Sequence, residues 1–209
     1  MYFCERAIVL RQRPLRENDK IVSVFAEKSG RLEVNFKSVK KSKAKLVALS
    51  ESFVFGDYRF YLKANSNFPV CTGGKVITAH HKLRLESEKL FYAFYVCELI
   101  LNLTPLAQPS IEKFNLLKNA LDYIENKEID RRFLISYSLL LLEYCGVGFK
   151  NLNLGFDSEL WENLHKSDFS SISEIEEDEK KLNMISGLVF EKIREHSNRE
   201  INSLKFVKI

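Results

Sequence analysis

Residues 21–36 read Ile21-Val22-Ser23-Val24-Phe25-Ala26-Glu27-Lys28-Ser29-Gly30-Arg31-Leu32-Glu33-Val34-Asn35-Phe36. The first six are mostly β-branched or aromatic. In the last six, Leu32, Val34 and Phe36 alternate with Glu33 and Asn35, the period of two expected of a half-buried strand. Between the two runs, Glu27-Lys28-Ser29-Gly30 supplies a short connection ending in glycine, so the stretch reads as a β-hairpin. The same punctuation recurs on both sides. Upstream, Ala7-Ile8-Val9-Leu10 is a short apolar run ended by Arg11-Gln12-Arg13-Pro14. Downstream, β-type segments at Ser52–Phe55, Tyr58–Leu62 and Lys75–Ala79 are separated by Gly56-Asp57, Asn65-Ser66-Asn67 and Gly73-Gly74, all read as turns. Five or six short strands in about eighty residues predict a small sandwich or barrel.

Beyond residue 80 the period changes. Leu90, Phe91, Phe94, Tyr95, Leu99 and Leu103 recur at helical spacing and stop at Thr104-Pro105. Pro109-Ser110 opens a second helix with Ser110 as N-cap and Ile111, Phe114, Leu117, Leu121 and Ile124 on one face. A third helix spans about Ile129–Cys145 with Gly146 as its C-cap. Its Ser138–Leu142 segment is too apolar for a solvated face, which predicts a helix through the middle of a bundle. A last helix covers about Lys180–His196, and the tail Asn202–Val207 is expected to pack back on the bundle. The sequence therefore predicts an α+β chain in two parts, a small β-barrel over residues 1–80 and an all-α domain over 81–209.

The charge divides at the same place. Residues 1–80 hold 15 Lys+Arg against 7 Asp+Glu, while 81–209 hold 17 against 21. A basic module of net +8 suits a polyanion, and the remainder suits another task. No apolar run approaches the ~20 residues of a membrane-spanning helix. No basic stretch leads into an apolar core at Met1–Arg6, so no secretory signal is expected. Cys4, Cys71, Cys97 and Cys145 are scattered singly, as in a cytoplasmic chain with reduced thiols.

Motifs for nucleotide, metallopeptidase or serine-hydrolase chemistry are absent from the sequence. Gly73-Gly74-Lys75 lies between strand-like runs and reads as a turn. His80-His81 reads as a solvated junction, since adjacent histidines on an extended segment point opposite ways. Cys97 and Cys145 read as core fillers, and Glu174–Glu179 as a solvated acidic face. No catalytic residue, metal or cofactor is expected. What remains is Lys37, Lys40, Lys41, Lys43 and Lys45, five lysines in nine residues without an acid. Clustered lysines on a barrel loop contact phosphates without reading sequence. Arg11, Arg13, Arg16 and Arg31 extend that surface if the strand pairing holds. Phe25, Phe36, Phe53, Phe55, Tyr58, Phe60 and Tyr61 are candidate stacking platforms, although most must fill the barrel. An RNA-binding barrel, a protein-interaction adaptor and a nuclease built on Asp57 and Glu51 stand as alternatives.

The order of several short motifs resembles the RecO family of bacterial recombination mediators. These are Arg6–Leu10, Glu17-Asn18-Asp19, Val24-Phe25, Lys28-Ser29-Gly30-Arg31, and the basic stretch from Lys37 to Lys45. Family members carry Gly where this chain has Ser38, and Pro where it has Ser52 in a strand start reading Leu49–Phe53. Tyr92, Tyr95 and Glu98-Leu99, then Leu139–Leu142 with Cys145–Phe149, and finally Ser203-Leu204-Lys205-Phe206 continue the likeness. Many members insert a four-cysteine zinc module after the last glycine segment. Residues 146–181 contain no cysteine, so an acidic, irregular replacement near 150–180 without zinc is expected.

The resemblance implies an OB-fold barrel followed by a helical domain in a cytoplasmic, nucleoid-associated protein without enzymatic activity. It implies binding of single- and double-stranded DNA, annealing of complementary strands, and work with RecR to help load RecA onto strands coated by single-stranded DNA-binding protein. It also implies docking of the acidic C-terminal tail of that coating protein on the helical domain. For the tail, Arg131 and Arg132 beside Phe133 are the candidates. The alternative for the two arginines is surface pairing with Asp130, Glu128 or Glu125. For DNA, the candidates are Arg11, Arg13, Arg31, Lys37, Lys40, Lys41, Lys43 and Lys45.

Overall fold

The computed structural model describes residues 1–39, 46–149, 158–172, 175, 178–197 and 199–207. The chain forms two compact units. One comprises Met1–His81 with Pro105–Phe114, the other Lys82–Thr104 with Asn115–Ile209.

The first unit is a five-stranded barrel of β1 (Tyr2–Pro14), β2 (Lys20–Ala26), β3 (Gly30–Phe36), β4 (Phe55–Tyr61) and β5 (Val70–Thr78). The strands run in the order β1-β2-β3-β5-β4 and the ring closes on β1. All pairings are antiparallel except β3 with β5, a parallel contact at the single register Asn35–Val70. This is the OB-fold barrel, and β2–β3 is the hairpin of residues 21–36. Inward residues Val9, Val22, Val24, Val34, Phe36, Tyr58 and Phe60 form its core. Each such side chain contributes roughly 1.5–3 kcal/mol on full burial.

β1 starts five residues earlier than the apolar run Ala7–Leu10 and continues through the charged end to Pro14. Its first half pairs with β4 and its second with β2, so one long strand serves both sides of the barrel. Two supposed turns lie within strands. Gly56-Asp57 belongs to β4, and Gly73-Gly74 to β5, opposite Arg59 and Tyr58. A Cβ at Gly74 would fall 2.3 Å from the Asp57 carbonyl oxygen, so the glycine serves close approach of two strands rather than chain reversal. The segment Leu49–Phe53 is not a strand start. Ala48–Ser50 is a 3-10 turn, and Phe53 adopts φ 70°. His80 is not solvated: it is 2% exposed, and its Nδ1 lies 2.8 Å from the Phe53 carbonyl oxygen. A backbone carbonyl supplies the polar partner that lets the ring be buried.

In the second unit the helices are α1 (Ser87–Leu103), α2 (Ile111–Asn126, whose first turn belongs to the barrel unit), α3 (Arg131–Tyr144), α4 (Ser158–Leu164) and α5 (Glu179–His196). α3 is the central element, with every residue from Phe133 to Leu142 buried. The hydroxyls of its buried centre are all bonded. Ser136 donates to the Leu164 carbonyl, Tyr137 to that of Val96, and Ser138 to that of Leu134 while meeting the Tyr95 hydroxyl at 2.6 Å. Asp130 caps the N-terminus by accepting from the Arg132 amide at 2.8 Å. At the C-terminus Gly146 takes φ 79°, and the amides of Gly146 and Val147 bond back to the carbonyls of Glu143 and Leu142. Ser110 caps α2 as the sequence predicts, accepting from the Lys113 amide. Cys97 is buried, whereas Cys145 is only half-buried. Within the expected irregular stretch, α4 is helical. Glu174, Glu176 and Glu177 of the acidic run lie outside the described residues.

Candidate nucleic-acid interface

A register shift in β1 decides which arginines face solvent. Ala7 and Val9 point inward and pair with Ala26 and Val24. Leu10 is then an extra residue, so Arg11 rather than Leu10 stands opposite Ser23, and Arg13 opposite Ile21. A bulge of this kind flips every side chain beyond it. Without it Arg11 and Arg13 would point into the barrel core. With it, both are exposed on the outer face of β1–β2–β3.

That face also carries Glu33 and Arg31. Arg13 approaches Glu33 at 3.5 Å with its side chain 56% exposed, a pair worth at most about 1 kcal/mol and easily exchanged for another anion. Ser23 donates to the same carboxylate at 2.6 Å. Arg31 is half-buried, and its carbonyl accepts from the Ala107 amide at 2.9 Å. Lys37 is exposed where β3 ends. Ser38, its neighbour, adopts φ 56°, the left-handed region, and its amide donates to Asp19 Oδ1 at 2.8 Å. Lys40, Lys41, Lys43 and Lys45 lie outside the described residues. The structure thus brings Arg11, Arg13 and Arg31 to one sheet face and sets Lys37 at the end of one of its strands.

Of the aromatic candidates, Phe25, Phe36, Phe53, Phe55, Tyr58 and Phe60 are buried core residues. Tyr61 alone among them is half-exposed, and its ring lies 4.7 Å from that of Tyr2. Sequence reasoning missed Tyr2 because it began the strand at Ala7. The alternation of Tyr2, Cys4 and Arg6 with Phe3, Glu5 and Ala7 was the available signal.

On the helical unit the trio Arg131, Arg132 and Phe133 does not form an open slot. Phe133 is 0% exposed, stacked on Tyr123 at 5.2 Å. Arg132 binds the Asp130 carboxylate and the Ile175 carbonyl, and Arg131 donates to Asn183. A groove of about 630 Å³ lies elsewhere in the unit, lined by Phe190, Ile201 and Leu204 together with Arg194, Arg199, Lys205 and Glu200, the last two paired at 3.1 Å. No group of three or more His, Cys, Asp or Glu among the described residues is arranged to hold a metal ion. None of the described helices is long and apolar enough to cross a membrane.

An OB-fold barrel with a cationic outer sheet face, followed in the same chain by a helical unit, defines the class. A family model described as the recombination protein O N-terminal region matches residues 1–80, and one for its C-terminal region matches 84–150. A curated protein of Clostridium perfringens strain 13 is 35% identical over 153 residues, covering 71% of this chain and 60% of its own length. One of Clostridium acetobutylicum is 30% identical over 176 residues, covering 81% and 67%. One of Shouchella clausii is 31% identical over 118 residues, covering 56% and 45%. All three are named DNA repair protein RecO. The chain belongs to the RecO family, and spans between about half and two thirds of the length of these relatives.

Proposed function

We propose that the protein acts in DNA repair and recombination as a non-catalytic mediator. It binds single- and double-stranded DNA on the barrel, anneals complementary strands and, with RecR, helps load RecA onto strands coated by single-stranded DNA-binding protein. The observation that carries this reading is the β1 bulge, which aims Arg11 and Arg13 outward on the face that OB-folds use for nucleic acid. The lysine run that begins at Lys37 supplies further phosphate contacts. Clustered lysines screen the repulsion between two strands without selecting sequence.

The helical unit recruits the protein to coated strands. An acidic peptide ending in an aromatic residue needs an apolar floor with cations at its mouth. The groove of Phe190, Ile201 and Leu204 carries Arg194 and Arg199, with Lys205 held by Glu200, and supports that reading, so we assign the tail there rather than to Arg131–Phe133.

Two measurements test the reading. Replacing Lys40, Lys41 and Lys43 with Ala lowers DNA affinity and reduces the salt dependence by up to about three phosphate contacts. An unchanged slope removes the lysine run from the interface. Annealing of labelled complementary strands is accelerated whether they are naked or coated, and the coated reaction fails when the coating protein lacks its tail. No acceleration of either, at low salt, rejects the mediator role in favour of an adaptor.

A further inference from the structure

The barrel carries a second exposed cationic face. On the first half of β1 the side chains of Tyr2, Cys4 and Arg6 point outward and are exposed, while Phe3, Glu5 and Ala7 point inward. The register sets Tyr2 opposite Tyr61 and Cys4 opposite Arg59. Arg59 in turn faces Gly73 of β5, and Lys75 follows two residues on. Tyr2 is 68% exposed, and its ring is tilted 41° against Tyr61. Arg59 and Lys75 are exposed and form no ion pair among the described residues. Asp57, the single exposed acid of β4, stands in register between Arg6 and Lys75, and Arg6 is paired with Glu27, so Arg59 and Lys75 are the cations this face offers.

We propose that this β1–β4–β5 face is a second site for an unpaired nucleic-acid strand, with Tyr2 as the base-stacking platform and Arg59 and Lys75 as phosphate contacts. A large aromatic ring left two-thirds in water contributes little to the core. With one face on Tyr61 it is held in place for a base to stack on it. Such stacking tolerates any base, since every base has a π-face. The occupant is a strand rather than an acidic protein surface because exposed cations share the face with an exposed aromatic ring, and an unpaired strand uses both, through its phosphates and its bases. The site rests on the DNA-binding reading above. It extends that reading by giving the barrel a second strand position, reached by the other half of β1.

Cys4 reports on the site directly. It is exposed between Tyr2 and Arg6, whereas Cys71 and Cys97 are buried and Cys145 is half-buried, so alkylation is read on the Cys4 peptide itself. Binding of an oligothymidine strand to the intact protein is followed by anisotropy, and Cys4 alkylation is timed on the same mixture. Saturating single strand slows Cys4 alkylation about fivefold or more, and a duplex of equal length does not. Tyr2→Leu, which keeps an apolar cover on Tyr61, lowers single-strand affinity about five- to tenfold with duplex affinity unchanged. Tyr2→Phe retains the ring and retains binding. Saturated binding with Cys4 still reacting at its free rate overturns the second site and leaves the mediator reading intact. Absence of any binding at low salt overturns both.

Discussion

Asp19 and Ser38 are joined by a hydrogen bond of 2.8 Å from the Ser38 amide to the Asp19 carboxylate, and that bond holds the entrance of the lysine run. Ser38 adopts a backbone conformation that glycine enters freely. At its φ of 56°, a residue with a Cβ enters the left-handed region at a cost of about 1–2 kcal/mol. Ser38→Gly relieves that strain but loosens the unfolded chain, so its stability stays within about 0.5 kcal/mol of the parent. Ser38→Val, exposed and β-branched, loses about 1–2 kcal/mol, and Asp19→Ala about 1–2 kcal/mol. Urea denaturation of the three variants checks the order. A stable Ser38→Val would mean that the turn is not held in the left-handed form.

The second relationship spans the helical unit. The Glu98 carboxylate on α1 accepts from the amides of Asn202 and Ser203 and from the Ser203 hydroxyl, over 105 residues of sequence. Phe91, two turns earlier on α1, stacks on Phe206 at 4.9 Å. Glu98→Ala leaves these donors without their acceptor and costs about 2–3 kcal/mol, with the 3-10 turn at Asn202–Lys205 detached from α1. Detachment appears as faster amide exchange in residues 199–207. The same change removes Ile201, Leu204 and Lys205 from the groove, so the proposed tail binding falls while the proposed DNA binding on the barrel does not.

A pH effect follows from the cap of α5. Asp178 accepts from the amides of Lys180 and Lys181 at 3.1 Å each. The Lys181 amide, with the nearby Lys181 charge, holds the carboxyl below the ordinary aspartate value. A depressed folded-state value means that the stabilisation is complete above the unfolded value of about 3.9 and is lost as pH falls through the lower, folded one. The first turn of α5 therefore frays on acidification below about pH 4, which amide exchange or helical circular dichroism detects. Asp178→Asn keeps a capping oxygen and loses this pH dependence. A wild-type helix end unaffected between pH 5 and 2 would show that the cap does not hold it.

Much of this was legible in the sequence where local pattern and burial agree. The hairpin of residues 21–36, the caps at Ser110 and Gly146, and the buried centre of α3 follow from periodicity and from residue types that suit those positions. The misread places are those where a residue serves tertiary contact. Gly74 looks like a turn until β4 is beside it, and His80 looks solvated until the Phe53 carbonyl meets its ring. The direction of Arg11 and Arg13 depended on one extra residue at Leu10, which the sequence pattern does not mark. Tyr2 was hidden because charged and polar neighbours obscured the start of β1. Arg132 shows the opposite limit, since its partner Asp130 was nameable from the sequence but the burial of Phe133 beside it was not.

Gly30 gives the most stringent test of the barrel unit. It adopts φ 69°, and a Cβ there would lie 2.1 Å from the carbonyl oxygen of Gln108. The contact is with backbone, which cannot swing aside. Around it, the Ala107 amide donates to the Arg31 carbonyl, and Arg31 bridges to Leu106. The Glu5 carboxylate holds the other side of the turn, accepting from the amides of Lys28 and Ser29 and the Ser29 hydroxyl. Gly30→Ala thus combines left-handed strain with a backbone clash, and displaces either the β2–β3 turn or residues 105–109. The expected loss is at least about 2–3 kcal/mol in urea denaturation. Lys28→Ala, an exposed change in the same turn, stays within about 0.5 kcal/mol of the parent. An Ala at residue 30 with parental stability would mean that the segment of Gln108 does not lie against β3 in solution.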